Sequence, residues 1–129
     1  MEARDVYMTA AQIEERKAKI AAIEGLEEIK AAIAASIAYH RAKMEFERGE
    51  REFEDVPKNN PNAISDAEKK YPRAAAFLQA ERWTLGENPV KVRLGSRAME
   101  KILDGEDPHA VLDEMHKGLD AFNLAQTGD

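Results

Sequence analysis

The sequence predicts an all-α protein. Apolar residues recur at helical spacing, capping signals stand where helices would begin and end, and runs of β-branched residues are absent. Three segments follow: a long-helix region over residues 1–52, a linker over 53–64 and a three-helix unit over 65–129, together forming one compact domain.

The first helix opens at Thr9, where Gln12 three residues on and Ile13 after it make a capping box. Apolar residues then recur at Ile13, Ile20, Ile23, Leu26, Ile29, Ile33, Ile37 and Met44, with no proline before Pro57. A helix from residue 10 to 48 would be about 58 Å long at 1.5 Å per residue. A compact domain of this size is only about 36 Å across. Either the helix breaks at Gly25 or a second chain covers the excess. Glu24, Leu26, Glu27 and Glu28 form helices readily and no cap residue flanks Gly25, which favours an unbroken helix and a second chain. Ile29, Ile33, Ile37, His40 and Met44 are then the expected self-association residues, with His40 a partly buried polar residue that sets the register. The small side chains from Ala31 to Ala38 suit a neighbouring helix, from this chain or from another.

Pro57, Lys58, Asn59, Asn60 and Pro61 mark the linker, with Phe53, Val56 and Ile64 expected to anchor it to the core. Ser65 and Glu68 read as a capping box for a short turn before Pro72, which is suited to the first position of a helix whose apolar face runs through Ala74, Phe77, Leu78 and Leu85. Gly86-Glu87-Asn88-Pro89 and Gly105-Glu106-Asp107-Pro108 each place a glycine after one helix, a cap residue before the next, and proline at its start. The two last helices carry Val90, Leu94, Ala98 and Ile102, then Val111, Leu112, Met115, Leu119 and Phe122.

Apolar residues at 43% and charged residues at 34% suit a folded protein, and the absence of cysteine excludes disulfides, thiolate metal sites and a cysteine nucleophile. Met1 to Tyr7 is charged and no apolar run follows, so neither a secretory leader nor a membrane span is expected and the cytoplasm is the default location. The net charge of −6 conceals a segregation: residues 45–55 carry −4, residues 69–101 carry +5, and everything after carries −6. A basic middle between acidic segments can steer an acidic partner or meet acids of its own chain or of a second copy.

Within that middle, Arg93, Arg97 and Lys101 lie at i, i+4 and i+8 on one face, with Lys91, Arg82 and the Asn88 helix start nearby. These five cations are the expected partner- or anion-binding residues. Guanidinium groups beside a helix N-terminus suit carboxylate or phosphate, although a solvated face paired with Glu100 and neighbouring acids also explains them. The turn before Pro108 has the form of a helix-turn-helix, but Asp113, Glu114 and Asp120 would repel DNA. His109 and His116 are seven apart, whereas metal-binding pairs on a helix are three or four apart, so no metal site is expected. No cofactor motif and no serine, histidine and acid arrangement stands out. Trp83 is expected to be buried against the long helix.

At Tyr71, Pro72, Arg73, Ala74, Ala75, Ala76, Phe77 and Leu78, with Ala80, Glu81 and Trp83, and again from Ala98 to Asp107, the chain resembles small uncharacterised helical proteins of bacteriophages, prophages and other bacterial mobile elements. The resemblance covers the second half. It implies a small non-enzymatic accessory protein, many of which block a host defence system or sequester its ligand, and it supplies no catalytic residues. Sequence and resemblance together lead to a non-enzymatic protein-binding protein, self-associating as a dimer and contacting an acidic protein surface. Alternatives are a nucleotide or nucleic-acid phosphate binder using the face after Pro89, and a phage structural or scaffold protein.

Overall fold

The computed structural model describes residues 9–127, and within them the protein is helical with no strand. The charged opening segment before Thr9 lies outside the described residues. Six helices follow in order: α1 (Ala10–Ala21), α2 (Leu26–Glu47), α3 (Ala63–Lys70), α4 (Pro72–Thr84), α5 (Pro89–Leu103) and α6 (Pro108–Thr127).

The Thr9 capping box forms as expected: Gln12 N–H donates to Thr9 Oγ1 at 3.1 Å and Thr9 N–H donates to Gln12 Oε1 at 2.8 Å. The unbroken helix does not form. α1 stops after twelve residues, and α2 starts behind Gly25, whose backbone is left-handed at φ 82°. Tertiary packing overrides the good helix formers around it. The Tyr71 ring lies so close to Gly25 that a Cβ there would fall 2.0 Å from the ring's Cγ, and the Tyr71 hydroxyl donates to Glu28 at 3.2 Å. The break lets Ile23 and Leu26, on either side of it, both be buried. The length argument is thus resolved within the chain, because α2 alone is about 33 Å long.

The core is built on α4. Ala74, Ala76, Phe77 and Ala80 of that helix are buried among Ile29, Ala98, Met99, Ile102, Val111 and Met115. Small residues let the helices approach closely. A Cβ on Gly95 of α5 would meet the Ala80 carbonyl at 2.5 Å. α4, α5 and α6 run up, down and up, as the pairings of Arg73 with Ile102 and of Lys101 with Glu114 require. Both turns use the expected chemistry at their helix starts: Asn88 Oδ1 accepts from Val90 N–H at 2.9 Å, and Asp107 Oδ2 accepts from Ala110 N–H at 3.0 Å. Gly105, at φ 92°, closes α5 in a Schellman turn, with Glu106 N–H donating to the Lys101 carbonyl at 3.1 Å. Gly86 has no such role, since α4 ends before it and Leu85, expected on the apolar face, is 79% exposed.

Arg73 reinforces the α5 turn. Its guanidinium donates to the carbonyls of Glu106 (2.9 Å), Ile102 (3.1 Å) and Gly105 (3.5 Å), satisfying acceptors that a helix end leaves open. α1 lies beside the end of α5, tied by ion pairs from Arg16 to Glu100 and from Lys19 to Asp104 (3.9 Å).

The linker behaves differently from expectation in two places. Asn62, not Ser65, stands at the N-terminal cap of α3, and the Ser65 hydroxyl donates to the Asn62 carbonyl at 3.2 Å, so the Ser65–Glu68 box is not made. Phe53 does not reach the core. It is 70% exposed, in a single 3₁₀ turn (Phe53–Asp55), and packs edge-on against Phe46 at 5.6 Å. Val56 and Ile64 are half-buried.

Replacing Gly25 with Ala should cost roughly 1–3 kcal/mol, from the left-handed backbone and the Tyr71 clash together. Gly49 shares the backbone conformation, at φ 78°, but has open space around it, so Gly49→Ala should cost only about 1 kcal/mol. Arg73→Met, which strips the α5 turn of its donors, should cost about 2 kcal/mol, with Arg73→Lys recovering part. Urea denaturation of the variants checks all three.

Candidate functional site

α5 presents the cation row. Its start is fully capped: Pro89 has no N–H to offer, and Asn88 Oδ1 accepts from both Val90 and Lys91. An anion arriving at this helix end would compete with a side chain already in place. Lys91 does not point at it either, its Nζ lying 4.9 Å over the ring of Trp83.

Farther along, the row divides. Lys101 is half-buried and ion-paired with Glu114 of α6. That hydrogen bond and the Lys101 charge hold the Glu114 carboxyl below the usual glutamate range, with a smaller contribution from Arg97. Glu100, expected among the counter-charges of the row, is bound instead by Arg16 of α1. Arg93 and Arg97 remain exposed, and neither has an ion-pair partner among the described residues. Arg97 borders a shallow groove between α5 and α6 beside Leu94 and Gly118.

Arg82 stands apart from these. It lines a cleft of about 220 Å³ between α2, α4 and α6 together with Ile33, Leu78, His109 and Leu112. The five expected cations therefore form no single site: Arg93 and Arg97 share a free face, Lys91 and Lys101 are engaged, and Arg82 serves another surface.

Trp83 is half-buried, as a residue of the fold rather than an exposed anchor, and its ring meets side chains of α5 and α6. It meets His116 of α6 edge-on at 5.2 Å, and His116 Nε2 is 3.1 Å from Gln79 Nε2. Among the described residues no three or more metal-ligating side chains gather to hold an ion, and no helix is long and apolar enough to cross a membrane.

The five expected self-association residues separate as well. Ile29 is completely buried inside this chain, and Ile33 is half-buried against the core, so Ile29 cannot be part of an interface between copies. Ile37 (54% exposed), His40 and Met44 (56% exposed) stand outside. In the single chain His40 is exposed and touches Tyr39 edge-on at 5.2 Å.

Sequence reasoning missed Arg73, Tyr71 and Arg16 as organising residues. The Gly105 signal gave the α5 turn but nothing to connect Arg73 with it, and glycine at position 25 was the one sign of the close approach by Tyr71. Comparison of the chain with protein-family models, with curated proteins and with solved structures finds no match.

Because the Glu114 carboxyl ionises more readily in the folded protein, its contribution to stability is present above the ordinary glutamate range and is lost as the pH falls through its lowered value. The stability difference between wild type and Glu114→Gln should therefore be constant near neutral pH and close to nil in strong acid. Thermal melts of both proteins across the acid range measure it.

Proposed function

We propose that this is a non-enzymatic binding protein that acts by contact with another protein, seating an acidic surface of that partner on Arg93 and Arg97. One observation carries the reading: two guanidinium groups, four residues apart on one helix, are exposed and form no ion pair among the described residues, the neighbouring carboxylate of Glu114 being bound by Lys101. The other cations of the bundle are largely committed, Lys101 to Glu114, Arg16 to Glu100 and Arg73 to the α5 turn. A guanidinium offers a planar fork that matches a carboxylate in two hydrogen bonds. Two of them a helical turn apart suit a pair of carboxylates on a partner helix or strand.

A protein surface is favoured over a phosphate polymer. The α5 N-terminus is occupied by Asn88, and Glu114 of α6, which lines the same groove as Arg97, opposes an extended polyanion. A local acidic patch need cover only the two arginines.

Reversal of both charges, Arg93→Glu with Arg97→Glu, should leave the melting temperature close to that of wild type and weaken a partner captured from the native lysate by roughly ten- to a hundredfold. Wild-type binding should also weaken with salt. Equal retention of every captured protein by wild type and variant overturns the proposal. Tight binding of wild type to a short DNA duplex or to ATP, lost in the variant, would instead favour the phosphate reading.

A further inference from the structure

α2 uses one stripe for two purposes. Leu26, Ile29, Ile33, Ile37, His40 and Met44 follow one another at steps of three, four, four, three and four, so all six lie along one side of the helix. The first three seat α2 on the bundle. From Ile37 onward no side chain of α2 belongs to the main core cluster, Ala42 being buried apart from it, and the same stripe continues in solvent. The other side of this half is covered by the returning chain: Phe53 packs on Phe46, Arg51 binds Glu45 at 2.6 Å, and Ala42 is buried.

We infer that the uncovered stripe is the interface of a two-fold dimer in which the α2 helices of two copies pack antiparallel. A two-fold axis requires the stripe to complement its own reverse, and it does so about a point midway between residues 38 and 39. Ile37 of one copy then faces the partner copy's residue 40, and Ile33 faces the partner copy's residue 44. Ile33 lines the 220 Å³ cleft whose floor includes Ala75, Leu78 and Leu112. The methionine of each copy, a flexible apolar side chain, therefore enters the cleft of the other.

Charge agrees with this arrangement. The same register sets Lys30, which also meets Glu27 of its own helix at 3.8 Å, opposite residue 47 of the other copy, a glutamate, and carries the acidic tip of each α2, net −4 over residues 45–55, toward the other cleft. Arg82 and His109 lie on that cleft against a single acid, Glu68, and Arg82 has no ion-pair partner among the described residues. Exposed Ala34 borders the stripe beside Ile37 and adds little bulk there, and Arg41 borders it one turn farther on.

The test is the solution mass of the full chain by sedimentation and light scattering. The expected mass is twice the 14.4 kDa of one chain, and Ile37→Asp or Met44→Asp should each return it to one chain with an unchanged helical circular dichroism spectrum. Because the chain has no cysteine of its own, an equimolar mixture of Ile37→Cys and His40→Cys proteins should cross-link under mild oxidation more completely than either protein alone. A monomer at millimolar concentration overturns the inference, and so does a dimer that survives both aspartates or shows no preference for the mixed cross-link. An outside helix or a small amphipathic ligand in the cleft would appear as a monomer. The Arg93→Glu, Arg97→Glu variant should remain dimeric, which separates this interface from the partner-binding face.

Discussion

The contact between Gly25 and the ring of Tyr71 fixes how the two halves of the chain meet. Only a residue without Cβ both tolerates the left-handed backbone and leaves room for the ring. The turn directs α1 back along the end of α5, where Arg16 and Lys19 find their acids, and it points α2 across α4 so that Ile29 reaches the centre of the core. Tyr71 is also the residue between α3 and α4, and its hydroxyl holds Glu28. One aromatic ring thus sets the positions of four helices.

Most local signals in the sequence were legible because the chemistry behind them was local. Thr9 with Gln12, Asn88 with Pro89, and Gly105 with Asp107 and Pro108 each specify a helix end by hydrogen bonds within a few residues, and each forms. Where a residue answers to something distant, the local reading failed. Gly25 stands among helix formers, and only the approach of Tyr71 explains why the helix stops there. Ser65 failed for a nearer reason: the chain arrives from Asn60 and Asn62 in a turn that already uses their groups. The cation row was legible as a row because i, i+4 spacing is local. Which of its members stay free depends on α1 and α6, and spacing within α5 holds no information about either.

The charge segregation takes on a different meaning once the helices are placed. Part of the positive middle is engaged inside the molecule: Arg73 at a helix end, Lys101 against Glu114, Lys91 over Trp83 and Lys70 over Tyr71. These contacts orient helices more than they hold them, since exposed ion pairs contribute little stability. What the core leaves over is a much smaller positive feature than the count of +5 suggested, and a more specific one.

Between Ile33 and Ala67 no residue joins the main core cluster, although Ala42 is buried apart from it. The chain leaves the bundle along α2 and returns close to its point of departure, where Ala32 shares a surface with Asn60 and Ala63. In outline this stretch is an excursion from a main core assembled without it. The bundle would then constrain these residues weakly. Their sequence could diverge, lengthen or shorten at a pace set by whatever they touch, while the helices beneath them change slowly.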